Sequence, residues 1–174
     1  MKRMAFGIAL VSTILLGGAV TARADTSDAW ITTKAKIALL TMDGFSVSGA
    51  NVDTVKGKVT IHGKVATTAD RTKAEQTVRT VSGVKSVSNL LQVVPESVKD
   101  RVDAKDADVK ERVEASLKTD TKMDDVKVAS VNNGVVLLSG KTIDLNQKLR
   151  AIENAYSVNG VRRVASEIQT TESN

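Results

Sequence analysis

Two stretches of this 174-residue chain repeat each other at a constant offset of 77 positions. Val55-Lys56-Gly57-Lys58-Val59-Thr60-Ile61-His62-Gly63 lies against Asn132-Asn133-Gly134-Val135-Val136-Leu137-Leu138-Ser139-Gly140. Val59 falls on Val136, Ile61 on Leu138 and Gly63 on Gly140. Further along, Val81-Ser82-Gly83-Val84 meets Val158-Asn159-Gly160-Val161, Val87 meets Val164, and Leu91 meets Ile168. Upstream, the same offset sets Leu40 on Leu117. A chain built this way folds as two copies of one small supersecondary unit.

Each copy reads as α-β-β-α-β. Asp28 to about Thr41, and Ala107 to about Thr119, are expected to be helical; in the second copy Val109, Val113 and Leu117 recur every four residues as an apolar stripe. Short strands follow near Val47–Val55 and Val126–Val131. Asn133-Gly134 is then a type I′ hairpin signal, because both positions tolerate positive φ, and Lys56-Gly57 is a weaker version of the same turn. Alternating strands run over Lys58–Val65 and Val135–Thr142. The second helix of each copy opens on a side-chain cap, Thr67 before Asp70 and Asp144 before Gln147. Gly83 and Gly160 stand where a left-handed C-terminal cap is wanted. A last strand, Val84–Val94 and Val161–Thr170, follows a helical crossover and so is expected to lie parallel to its neighbour. Gly57, Gly63, Gly134 and Gly140 bound the strands as turn positions. The fold class expected is α+β, with tandem units that each place two helices on one face of a three-stranded mixed sheet.

The N-terminus carries a different signal. Lys2 and Arg3 precede an uncharged stretch from Met4 to Val20, and Ala22-Arg23-Ala24 offers a small-residue cleavage site. The stretch is short of the ~20 apolar residues of a spanning helix and is broken by Gly17-Gly18. Residues 1–24 are therefore expected to be a cleaved secretory signal peptide, residues 25–94 the first domain, 95–105 a charge-rich linker with the lone proline or an extension of the helix that follows, and 106–174 the second domain. The chain after cleavage is expected not to span a membrane. With no cysteine, neither a disulfide nor a lipid-modified N-terminal cysteine is available.

Charge narrows the partner class. The 25 basic and 20 acidic residues give +5, but residues 1–24 hold three of the basic residues and no acid. The chain after Ala24 carries 22 basic against 20 acidic residues, a net +2, which lacks the concentrated basic footprint of a nucleic-acid binder.

Chemistry is sparse. The sole histidine, His62, shares a strand with Val59 and Ile61, which alternation sends to the core, so His62 and Thr60 point the other way. It is read as a solvated strand residue, because a metal site needs three or four convergent ligands. Asp120, Asp124 and Asp125 interleave with lysines and lack the spacing and central glycine of an EF-hand loop. No Gly-x-Ser-x-Gly elbow and no nucleophile–base–oxyanion constellation is found. The expectation is a non-enzyme without cofactor or metal.

The pattern Asn-Gly-Val-Val-x-Leu-x-Gly over Asn133–Gly140, followed by Val158-x-Gly-Val161, resembles the BON domain of bacterial envelope proteins. Asp28-Ala-Trp-Ile-Thr-Thr-Lys34 is similar to the opening of the first domain in OsmY-type periplasmic proteins. The resemblance covers nearly all of the chain after the signal. It implies a periplasmic location, an association with osmotic or envelope stress, and a role in phospholipid binding or chaperoning. The first copy departs from the pattern at Lys56, Lys58 and His62.

Surfaces supply the remaining candidates. Val135 and Leu137 form an outward apolar pair on the second copy's strand, covered either by the other repeat or by an external client or lipid. Lys141, Lys148, Arg150, Arg162 and Arg163 form a basic set suited to anionic headgroups. Trp30 and Tyr156 are candidate interfacial anchors. Together they point to a periplasmic stress protein that touches phospholipid surfaces or other envelope proteins, the alternative being a chaperone-like binder of unfolded exported proteins.

Overall fold

The computed structural model describes residues 27–42 and 49–171. The proposed cleavage site after Ala24 and residues 43–48 lie outside the described residues.

The first repeat comprises α1 (Asp28–Leu40), β1 (Ala50–Val55), β2 (Lys58–Val65), α2 (Thr68–Arg79), β3 (Ser86–Asn89) and β4 (Gln92–Val93). The second comprises α3 (Glu96–Lys118), a 3-10 turn (Thr121–Met123), β5 (Val126–Asn132), β6 (Val135–Thr142), α4 (Leu145–Tyr156), β7 (Arg163–Ser166) and β8 (Gln169–Thr170). In each, the hairpin is antiparallel and the strand after the crossover is parallel to the second hairpin strand. The last strand of each unit is broken in two. Asn89 Oδ1 takes the Leu91 amide and Ser166 Oγ the Ile168 amide at equivalent places, diverting the backbone from the ladder.

Local chemistry sets the element ends. Thr67 and Asp144 accept hydrogen bonds from the amides of Asp70 and Gln147, as their spacing predicts. Lys56 and Asn133 adopt φ of 53° and 47°, each followed by a positive-φ glycine, so both hairpins close with I′-type turns. Gly63 and Gly140 sit within strands rather than at their ends, at φ 128° and 118°. A Cβ there would come within 1.6 Å of the Gly49 carbonyl oxygen and 1.9 Å of that of Asp125. Only glycine lets the neighbouring strand approach so closely.

One core fills each repeat between sheet and helices. Ile31, Ala35, Leu39, Val52, Val59, Ile61 and Leu91 pack the first, and Val109, Val113, Leu117, Val136, Leu138 and Ile168 the second. The first-helix register corrects the expected alignment. Leu39, not Leu40, occupies the place of Leu117, so the offset is 78 in the first helices and 77 from the hairpin turns onward. Leu40 is exposed.

The second repeat's first helix begins at Glu96, well before the expected Ala107. Residues 96–105, the expected linker, form its opening turns.

Candidate functional site

Thr60 and His62 on β2, and Val135 and Leu137 on β6, belong to neither helix-covered core, yet all four are buried. They are covered by one another's repeats. The β2 and β5 strands are in contact, the Thr60 hydroxyl faces the Glu167 carboxylate across the boundary, and Arg162 reaches Gln92 at 3.4 Å. The two sheets thus meet through the faces that their helices leave open.

This closes one open alternative and corrects one expectation. Val135 and Leu137, exposed by only 6% and 1%, offer nothing to an outside partner. His62 is not solvated; it is 5% exposed, because a second sheet closes over its strand. Its Nε2 lies 2.8 Å from Asp53 Oδ2, while its buried Nδ1 has no hydrogen-bond partner. The imidazole's hydrogen bond holds the Asp53 carboxyl below its ordinary pKa, against the opposing effect of burial. Burial pushes the Glu167 carboxyl up, and the nearby Asp53 charge adds to the push. Among the described residues no group of three His, Cys, Asp or Glu side chains could hold a metal ion.

A second polar joint links the repeats. Lys64 Nζ lies 2.6 Å from both Asp103 and Asp106 of α3. Asp106 also receives the amides of Asn133 and Gly134 at 2.7 and 2.9 Å, and in the first repeat Asp28 holds Lys56 and Gly57 in the same way at 2.6 and 2.8 Å. The first helix of each unit therefore clamps its hairpin turn by a carboxylate on two backbone donors, an arrangement that no local spacing announces.

The outer surface holds what the strands do not. On α4, Leu145, Leu149 and Tyr156 recur at intervals of four and seven, with Ile143 just before the helix, and all four are exposed, Leu149 by 54% and Tyr156 by 62%. Ala151 and Ala155 face the core instead. The equivalent positions of α2 are Thr68, Thr72 and Arg79, so the stripe belongs to the second repeat alone. Of these residues only Tyr156 was expected. The i, i+4, i+11 spacing, set against polar counterparts in the first copy, was the available signal. Trp30, with Ile37 and Leu40, is exposed on α1, and the Lys34 ammonium sits 6.0 Å from the Trp30 ring centroid.

The expected basic set divides. Arg150 is exposed on α4, Lys141 is exposed at the far end of β6, and Lys148 is half-buried with Nζ donating to the Ile168 carbonyl oxygen. Arg163 pairs with Val135 at the opposite end of β6, six residues from Lys141 or ~20 Å along the strand. Arg162 lies beside Arg163 and away from Lys141. Among the described residues no helix is long and apolar enough to cross a membrane.

Comparison with known proteins mirrors this duplication. The BON domain matches residues 27–95 and 105–172. The chain is similar to osmotically-inducible protein Y of Escherichia coli (strain K12), 32% identical over 154 residues that span 82% of this chain and 72% of the relative. A solved structure of the C-terminal domain of CdsD, a structural protein of the Chlamydia trachomatis type III secretion system, matches 80% of this chain and 96% of its own at 13% identity, with a TM-score of 0.35 that bears no functional weight. With both repeats matched and the helix–hairpin–helix–strand unit present twice, the chain belongs to the BON-domain family and carries two such domains.

Proposed function

We propose that this protein is a non-catalytic component of the periplasmic envelope that works at phospholipid membrane surfaces under osmotic stress, with α4 of the second domain as its contact. The observation that carries this reading is the open apolar stripe of Ile143, Leu145, Leu149 and Tyr156, flanked by Lys141 and Arg150. An amphipathic helix of this kind settles at the headgroup boundary without spanning the bilayer, and its cations favour anionic lipid. Similarity to an osmotically inducible relative supports the stress setting, and the N-terminal signal pattern supports export.

Flotation with anionic and neutral vesicles at low salt tests it. Leu149→Asp is expected to lower association with anionic vesicles at least tenfold, since burying one leucine side chain contributes about 1.5–3 kcal/mol. Absence of association with either vesicle would remove the reading.

The alternative, a binder of unfolded exported proteins, loses its first seat because Leu137 is buried. What supports it instead is the exposed Trp30, Ile37 and Leu40 set on α1. Suppression of client aggregation that persists in Trp30→Ser/Ile37→Ser would dismiss that surface.

A further inference from the structure

The two hairpin turns are built alike, and among the described residues the second opens onto a groove. At Gly134 a Cβ would lie 3.0 Å from the Arg162 side chain, and at Gly57 one would lie 2.9 Å from that of Lys85, the equivalent residue. Gly83 and Gly160 share a φ of 97° in the turns that follow the second helices. The second turn has a wall beside it. Among the described residues α1 starts at Asp28, the turn-clamping carboxylate, whereas α3 starts ten residues before its counterpart Asp106.

That extension supplies Val98, Arg101, Val102 and Lys105. Spaced three and four apart, they share one face of α3 with Val109 and Arg112. With Gly134, Gly160 and Arg162 they enclose an open groove of about 680 Å³.

The charges in this groove do not cancel. Its two carboxylates are already engaged: Asp106 by Lys64 and the Asn133-Gly134 amides, Asp108 by Arg112. Among the described residues Arg101 and Lys105 have no hydrogen-bond or ion-pair partner, and Arg162 has only its 3.4 Å contact to Gln92. Three cations with little to bind thus converge over an apolar floor of Val98 and Val102. A Cβ at Gly160 would meet Val109 at 2.7 Å, so glycine keeps that side of the groove clear. In the first repeat the counterpart of Arg112, Lys34, is spent on the Ser82 carbonyl oxygen at 2.5 Å.

We propose that this groove between the α3 extension and the Asn133-Gly134 turn is a binding site for a phosphate ester, held by Arg101, Lys105 and Arg162, with its organic part against Val98 and Val102. Guanidinium groups suit the geometry of phosphate oxygens, and charge-assisted hydrogen bonds of this type are the strong ones. The site is separate from the α4 stripe. Its ligand is either a free phosphate ester or the headgroup of a membrane lipid.

The test uses the chain in three forms: unaltered, with Arg101→Gln/Lys105→Gln, and with Lys34→Gln in the first repeat. The probes are sn-glycerol 3-phosphate, followed by amide chemical shifts, and phosphatidylglycerol vesicles, followed by flotation. Glycerol 3-phosphate is expected to shift the Gly134 and Gly160 amides saturably. Arg101→Gln/Lys105→Gln is expected to weaken this about fivefold for each cation removed, and Lys34→Gln to leave it unchanged. No shift at these amides, or shifts indifferent to Arg101→Gln/Lys105→Gln, would overturn the site even if vesicles still bind through α4. Shifts in the groove without vesicle association would uphold the site, make its ligand a free phosphate ester, and count against the membrane reading instead.

Discussion

The Lys64 ammonium of the first repeat lies 2.6 Å from the Asp106 carboxylate of the second, and the two side chains are 11% and 7% exposed. This one contact couples a strand of one domain to the helix that clamps the hairpin turn of the other. Its counterpart, Asp28, clamps the equivalent turn among described residues without such a lysine. The pair therefore offers an internal control for the worth of the joint.

Lys64→Met is expected to destabilise the chain by about 3–5 kcal/mol, because it leaves a buried carboxylate without its cation. Asp28→Ala, which removes only the hydrogen bonds to a turn, is expected to cost about 1.5–3 kcal/mol. Urea unfolding of both variants measures the difference; equal losses would show that the lysine adds nothing across the boundary.

Burial at the repeat boundary raises the Glu167 carboxyl above its ordinary value of 4.5, so the folded state holds this proton more tightly than the unfolded state. Stability from this group is fully present below the ordinary value and falls as pH rises through the raised one. Glu167→Gln is expected to raise the Tm at pH 7 and to flatten its pH dependence in that window. Thermal melts from pH 4 to 8 decide it.

Asp53 behaves in the opposite sense. Its carboxyl is held below the ordinary 3.8 chiefly by the hydrogen bond from His62. The stability it contributes is present above 3.8 and is lost as pH falls through the lowered value. His62→Asn is expected to reduce the acid loss below pH 4, measured by circular dichroism along an acid titration.

Gly140→Ala places a methyl 1.9 Å from the Asp125 carbonyl oxygen, at a φ of 118° that L-residues rarely adopt. A loss of roughly 3 kcal/mol or more is expected, with hydrogen-exchange protection lost first in β5 and β6. Gly63→Ala is expected to do the same to β1 and β2, where the methyl would lie 1.6 Å from the Gly49 carbonyl oxygen.

Leu145→Ser/Leu149→Ser alters exposed positions whose counterparts in α2 are Thr68 and Thr72. Stability is expected to stay within about 0.5 kcal/mol per site. A larger loss in urea unfolding would mean that the stripe serves the fold rather than a contact.

The duplication, the order of elements, both hairpin turns and both second-helix caps are legible in the order of residues alone. All of these rest on residues a few positions apart: Asn133 beside Gly134, Thr67 before Asp70, Asp144 before Gln147. That order also placed Thr60, His62, Val135 and Leu137 on the faces turned from the helices, since strand alternation requires it. What lies against those faces was decided only in the folded chain. Burial of a sheet face depends on the other repeat, which lies far along the chain, and no local pattern encodes that pairing. Hence His62 was expected in solvent and is enclosed, and the apolar strand of the second repeat closes an interface instead of offering one. Tertiary structure likewise settled that Leu39 rather than Leu40 enters the core, that the charged segment after Pro95 is helix, and that α4 and α1 each keep an apolar set open. A helix face is open or covered according to what packs beside it, and the spacing of its leucines is the same in either case.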